Sequence, residues 1–186
     1  MDFELTEDQS IFRDSVRRFA EDNIASGALE RARSPGYPWD VAEMLAAQGL
    51  MGVTMAEADG GQGGTLMDAV LAIEQIALVC PRGSDVFQAG NFGPARTLAE
   101  YGTPEQKEKY LKPVLKGRGL ISIGMSEPEA GSALTDLKTR AEADGKGYRV
   151  NGTKIFTTHS YDATTVLAYV RFGPGTDGIG SVLINF

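Results

Sequence analysis

The sequence holds one cysteine, one histidine and one tryptophan in 186 residues, and each scarcity removes a class of function. Cys80 has no second cysteine to pair with, so neither an internal disulfide nor a thiolate metal cluster is available. With His159 as the single imidazole, the side chains also argue against a zinc site. No apolar run approaches the roughly 20 residues of a membrane span. Met1-Asp2-Phe3-Glu4 is acidic and lacks the basic-then-apolar order of a secretory signal. Positive charge is short as well: 18 Lys and Arg stand against 25 Asp and Glu, a formal net charge of -7. Nucleic-acid binding needs a basic stripe to displace counterions, so this balance argues against it, while a small phosphorylated ligand held by local donors stays open. The expectation is a soluble, cytoplasmic chain.

What is present divides by period. Hydrophobic content of 42% and charged content of 23% are those of a globular protein, and residues 1–119 read as helices. Thr6 and Gln9 have capping-box spacing ahead of Phe12, Val16 and Phe19, which recur at helical intervals. Ser34 to Pro38 breaks the pattern; Asp40 with Glu43 then starts a second helix through Met44 and Leu45, which Gly49 is placed to stop. Thr65 with Asp68 opens a third helix, Leu66 to Val79, apolar on most sides and therefore expected to be buried centrally, with Pro81 closing it. Ser84 to Leu98 predicts a helix interrupted near Pro94. Thr103-Pro104-Glu105-Gln106 begins another, carrying Lys107, Lys109 and Lys112 and ending near Gly117. The run Gly60 to Gly64 lacks the Lys-Ser/Thr of a phosphate-binding loop and reads as a flexible turn. Cys80, with no basic neighbour to depress its pKa, reads as a buried, inert thiol.

Residues 120–186 read as strands. Leu120 to Met125 is a short strand with small residues interleaved, and Asp144 to Gly147 is a hairpin turn between Leu137–Ala143 and Tyr148–Val150. Asn151-Gly152 is the strongest short hairpin signal in the chain. Thr153 to Thr158 and Thr164 to Phe172 are β-branched and aromatic, as strands prefer, and Ser181 to Ile184 opens one more strand near the end. After the first strand comes Ser126-Glu127-Pro128-Glu129-Ala130-Gly131-Ser132, where Pro128 fixes one φ and Gly131 permits a conformation closed to other residues. Such a loop leaves N–H groups and the Ser126 and Ser132 hydroxyls free for a flat polar ring or a phosphate, or is an ordinary turn between strands.

Five segments carry a resemblance: Leu5-Thr6-Glu7-Asp8-Gln9; Gly49 to Val53 leading to Gly60-Gly61; Gly102 to Lys107; Ser126 to Ser132; and Asn151-Gly152-Thr153-Lys154. In this order, spread over the whole chain, the set resembles the N-terminal and middle domains of the acyl-CoA dehydrogenase family. The resemblance implies an α+β multidomain flavoprotein: an α-helical N-terminal domain over 1–119, a β-barrel-like middle domain over 120–186 that is incomplete at the C-terminus, and a helical bundle that these residues do not include. It implies FAD as cofactor, contacted by Met125, Ser126, Gly131, Ser132, Phe156, Thr157 and Thr158, with Ser132 also on the acyl-CoA side and Thr158 near flavin N5. The implied reaction is α,β-desaturation of an acyl-CoA thioester, in which a carboxylate removes the α-proton while the β-hydrogen leaves as hydride to N5. The glutamate base of the family belongs to the bundle and matches no residue here, so the chain alone is expected to be inactive. Implied partners are the acyl-CoA substrate, an electron-transfer flavoprotein or similar acceptor, and further subunits in a homo- or hetero-oligomer, a homotetramer being the family's habit.

Several positions depart from the family pattern. Phe156 replaces a tryptophan, Glu129 a glycine, Ala133 an aspartate, His159 an asparagine and Ala56 a proline. Phe156 keeps an acyl-CoA oxidase or flavin monooxygenase of the same superfamily open. The missing base keeps open a non-catalytic subunit that supports an active partner.

Overall fold

A computed structural model describes residues 4–186; Met1, Asp2 and Phe3 of the acidic start lie outside the described residues. The chain divides into two compact units, the first ending at Leu120 and the second running from Ile121 to Phe186.

The first unit is helical because its local signals are strong. In α1 (Glu7–Asn23), Thr6 and Gln9 form the reciprocal capping box, and Val16 and Ala20 face the interior. A 3₁₀ turn (Ala25–Gly27) leads into the short α2 (Ala28–Arg33). Helix α3 (Trp39–Ala47) starts one residue before Asp40, and its N-cap, Pro38, has no side-chain bond. Asp40 is engaged elsewhere: its Oδ2 accepts from Arg31 Nε at 3.0 Å and Nη2 at 2.6 Å. Burial opposes ionisation of this carboxyl, but the Arg31 bonds outweigh it and hold the pKa below the ordinary carboxylate value. Gly49, at φ +69°, ends α3 in a Schellman motif, with its N–H on Ala46 O and the Leu50 N–H on Leu45 O.

Helix α4 (Leu66–Val79) has the Thr65/Asp68 capping box but is not buried all round. Ala69, Leu71, Ala72, Gln75 and Ile76 face inward, while Leu66, Met67, Val70 and Leu78 are exposed. The small residues let neighbouring helices approach along one face, which leaves the larger side chains of the other face outside. The stretch after Pro81 forms two helices, α5 (Pro81–Asn91) and α6 (Gly93–Tyr101). From the Thr103 cap the chain runs through α7 (Pro104–Gln106), a π-helical turn (Lys107–Leu111) and α8 (Lys112–Leu115). Pro113 explains the wide turn: it has no N–H to offer the carbonyl four residues back, so the bonding shifts by one residue. Cys80 is fully buried, as expected, but it is not far from a cation, since the Arg31 guanidinium interacts with its thiol.

In the second unit β4 (Thr165–Arg171) is the central strand of a mixed sheet. β1 (Ile121–Gly124) pairs parallel to its first half, with Ile121 opposite Thr165 and Gly124 opposite Ala168. β5 (Ile179–Asn185) pairs antiparallel along its whole length. β2 (Arg140–Asp144) and β3 (Gly147–Asn151) form the hairpin around Gly145, and β2 meets β4 only at Arg140 opposite Arg171. The helical N-terminal domain and β-sheet middle domain expected from the sequence are therefore both present. Ala141, Val166, Ala168 and Val170 form the buried cluster under the sheet, with Val182 and Ile184 packed on it.

One buried side chain ties the first unit together. Asn91 is wholly inaccessible; its Oδ1 accepts from Val53 N–H at 2.6 Å, and its Nδ2 donates to Leu50 O and Phe87 O, both at 2.9 Å. Replacing it with leucine strands the buried Val53 N–H and the Leu50 carbonyl. Asn91→Leu is expected to destabilise this unit by about 3 kcal/mol, read as a urea midpoint lower by about 1 to 2 M in the fluorescence of Trp39.

Candidate functional site

The 126–132 loop begins where β1 ends, and its first part is a closed turn. Glu127 N–H bonds Ala130 O at 2.9 Å and Ala130 N–H returns to Glu127 O at 3.1 Å, leaving Pro128 and Glu129 exposed at the tip. Glu129 pairs there with Lys138. The Glu127 side chain turns inward instead and is only 6% exposed. Its Oε2 accepts from Lys138 N–H at 2.6 Å, and its Oε1 accepts from Thr139 N–H at 3.0 Å and from Lys154 Nζ at 2.7 Å. Lys154 Nζ also donates to Met125 O at 3.1 Å.

Two further bonds join the same segments. Ile155 N–H donates to Ser126 O at 2.9 Å, and the buried Ser122 Oγ donates to Thr158 O at 2.8 Å. Residues 153–158 thus lie against the end of β1, but they are not the strand their composition predicts. No ladder includes them, and Phe156 and His159 sit at φ 56° and 57°, in the left-handed region. Two non-glycine residues there cost about 1 to 2 kcal/mol each, which is sustained only because bonds on either side fix the backbone. Nor is Asn151-Gly152 a hairpin turn. The chain turns at Gly145, and Gly152 is glycine because a Cβ would lie 2.2 Å from Thr139 Oγ1.

The structure brings Met125 and Ser126, both half-buried, against the segment that holds Phe156, Thr157 and Thr158. Phe156 is 87% exposed, Thr157 half-buried and Thr158 exposed. Gly131 and Ser132 lie exposed beyond the turn, and among the described residues no hydrogen bond joins them to that segment. The hydroxyls of Ser126, Ser132 and Thr158, and the N–H groups of Gly131 and Ser132, have no partner among the described residues. Gly131 does not adopt the left-handed conformation expected of it, and a Cβ at this position would meet nothing within 4 Å. Its freedom from a side chain therefore serves open space, not the fold.

Ser122, Glu127 and Lys154 are the residues that sequence reasoning did not assign a role. Lys154 could have been found: it is the only charge between Asn151 and His159, in an otherwise uncharged stretch. Burial raises the cost of ionising Glu127, yet the Lys154 ammonium and the Lys138 and Thr139 N–H groups outweigh it and lower its pKa to about 2.

The helical unit has a cleft of about 580 Å³, and four of the charges lining it are paired with one another. Lys107 pairs with Asp59 and Lys112 with Glu108, each at 2.8 Å. The glycine run beside it is no loose turn: Gly60, Gly61, Gln62, Gly63 and Gly64 each spend their N–H on a carbonyl between Gly52 and Glu57. None of the backbone N–H groups of this run is left to cradle a phosphate.

Comparison with known proteins now bears on the open loop. Residues 6–118 match the family model of the acyl-CoA dehydrogenase N-terminal domain, and residues 122–185 match that of the middle domain. The chain belongs to the acyl-CoA dehydrogenase family. It is 34% identical over 187 aligned positions to the short-chain-specific acyl-CoA dehydrogenase of Clostridium acetobutylicum, covering 100% of this chain and 49% of that one. It is 38% identical over 156 positions to the 3-sulfinopropanoyl-CoA desulfinase of Paraburkholderia xenovorans, covering 84% of this chain and 40% of the relative. A solved structure of the FAD complex of PigA superposes with a TM-score of 0.91 at 28% identity, over 100% of this chain and 50% of that one. The chain spans about half the length of these relatives. Among the described residues no helix is long and apolar enough to cross a membrane.

The carboxyl of Glu127 gives a pH prediction with a definite sign. Its pKa is depressed from the ordinary 4.5, so its stabilisation is complete above about pH 4.5 and is lost as pH falls toward about 2. Against Glu127→Gln, which does not titrate, the wild type is expected to be more stable by about 2 kcal/mol at pH 6. That gap should narrow steadily below pH 4.5, as followed by the amide resonances of β4 during urea unfolding at several pH values.

Proposed function

We propose that this chain forms one wall of a flavin site in an FAD-dependent acyl-CoA-processing enzyme, and that the reaction served is α,β-desaturation of an acyl-CoA thioester. One observation carries the reading: Ile155 N–H to Ser126 O and Ser122 Oγ to Thr158 O join two segments whose Ser126 and Thr158 hydroxyls have no partner among the described residues, and the free N–H groups of Gly131 and Ser132 follow Ser126 in the same loop. The residues present fit the cofactor. Ser126 and Thr158 offer hydroxyls to the acceptor atoms of a flat ring, Gly131 and Ser132 offer N–H groups, and the empty space at the Gly131 Cα admits a ligand against the backbone. FAD bound there would supply a hydride acceptor.

The chain's own residues hold and orient. A hydroxyl from Thr158 directed at an atom that gains negative charge stabilises that charge, and it does so without reorganisation because the Thr158 carbonyl is anchored by Ser122. Ser132, one residue past the open glycine, would serve the substrate side. Removal of the α-proton needs a carboxylate, and Glu127 is unsuited to it: the carboxylate is buried, saturated with donors and held ionised down to about pH 2.

An oxidase or monooxygenase of the same fold is the second reading, favoured by Phe156, which stands exposed and left-handed beside Thr157. Acyl-CoA-dependent oxygen consumption, without need of a dye or protein acceptor, is its signature.

Titration of the purified chain with FAD, followed by flavin fluorescence, tests the main reading. Saturable binding is expected. Gly131→Ala should weaken it by about tenfold, or about 1.4 kcal/mol, while leaving thermal stability unchanged or slightly raised, since the new methyl meets no protein atom. Absence of saturable FAD binding would defeat the reading, and Gly131→Ala binding as tightly as wild type would remove Gly131 from the site. The chain by itself is expected not to reduce an artificial electron acceptor with acyl-CoA; turnover would place the base within these residues.

A further inference from the structure

We propose that the Glu127–Lys154 ion pair is the positioning device of the flavin wall: it sets the Met125–Ser126 backbone against residues 155–158 before any ligand arrives. The ligand in this statement rests on the function proposed above; the positioning does not.

The argument starts from the cost of burying charge. Glu127 and Lys154 side chains are only 6% and 13% exposed, and a carboxylate or ammonium in that position must be answered by donors and acceptors in good geometry. Lys154 Nζ is answered on one side by Glu127 Oε1 and on the other by Met125 O, so its position is set by the backbone it must contact. Glu127 is answered from two directions, by the N–H groups of Lys138 and Thr139 as well as by Lys154. The pair therefore ties together the end of β1, the approach to β2 and the segment after β3. The two bonds that join the candidate contacts Ser126 and Thr158 to each other's segments, Ile155 N–H to Ser126 O and Ser122 Oγ to Thr158 O, involve residues next to this tie in the chain or in the strand that leads to it.

A segment with left-handed residues at Phe156 and His159 does not hold this path by propensity; composition alone would draw it into a strand. Each ion-pair partner also borders a candidate contact. Lys154 touches the carbonyl of Met125, and Glu127 follows Ser126 directly. Neither charged group is exposed enough to meet a ligand as a direct contact, so the pair acts through the backbone it holds. This distinguishes it from Arg171, whose bonds to Thr135 O, Leu137 O and Gly175 O tie loops remote from Met125 and Thr158 in sequence.

Amide hydrogen exchange of the flavin-free chain separates positioning from general stability. In Lys154→Met, exchange at the Ile155 N–H should accelerate by tenfold or more while the β4 amides of Val166 to Val170 keep wild-type rates. Lys154→Arg, which restores the charge and the donors, should return Ile155 to within about threefold of wild type. FAD affinity should follow the same order, falling tenfold or more in Lys154→Met and recovering in Lys154→Arg. Should Lys154→Met fail to fold, Glu127→Gln/Lys154→Gln, which leaves no lone buried charge, carries the same expectations. Wild-type exchange at Ile155 in the Met or double variant, equal acceleration in β4, or unchanged FAD affinity beside accelerated Ile155 exchange would each overturn the proposal. A wild-type chain that binds no FAD overturns the proposed function instead, and Ile155 exchange then decides by itself whether the pair positions these segments.

Discussion

A carboxylate taken out of water sets the terms for the second unit. Glu127 can stay ionised at 6% exposure only because two backbone N–H groups and one ammonium converge on it. Those donors come from residues 11, 12 and 27 positions further along the chain, so satisfying one side chain also fixes where three stretches of backbone meet. Hydrophobic contacts tolerate a shift of an ångström, whereas a desolvated charge with short bonds does not. The apolar cluster around Val166 and Val170 holds the sheet, but it does not specify the path of the segments at the sheet's end.

That constraint accounts for the departure from strand geometry at 153–158. β-branched composition favours extended pairing, yet the segment makes one main-chain bond to Ser126 and accepts one from a serine side chain. The cost of the left-handed Phe156 is offset by the bonds at Ile155 and Thr158, and the outcome is an exposed phenylalanine near an exposed threonine. Strain of this kind persists where the surroundings over-determine the chain.

The helical unit was largely legible in the sequence because its signals are local. Capping boxes at Thr6, Thr65 and Thr103 and the αL glycines at 49 and 117 act over three to five residues, and each stands where it was read. What escaped were pairings across the fold. Asp40 was read as a helix start and is the partner of Arg31; Cys80 was read as lacking a cation and has that same arginine beside it. The exposed apolar face of α4 escaped because the count of apolar residues does not tell which of them the small residues will draw inward. In the second unit the hairpin at Gly145 was legible, whereas Asn151-Gly152 misled: a glycine required by close approach to Thr139 looks in sequence like a glycine required by a turn. The candidate contacts themselves came from resemblance in motif, and composition alone would have left the loop an ordinary turn.

The two glycine-bearing loops differ in what their backbone donors are left to do. Both are rich in residues that could present backbone donors. In residues 60–64 every N–H is consumed by a carbonyl between Gly52 and Glu57, and a Cβ on Gly61 would lie 2.3 Å from Met55 O, so glycine there is a packing necessity. In residues 126–132 the turn closes on itself with two bonds at Glu127 and Ala130, and the N–H groups that follow are left over, beside a glycine that nothing in the protein requires. A polar group left unpaired at the surface is solvated at little cost, and under the proposed function such groups next to a buried ion pair are the ones an acceptor-rich ligand would use. If the Glu127–Lys154 pair positions this backbone as proposed, binding there spends little on ordering it.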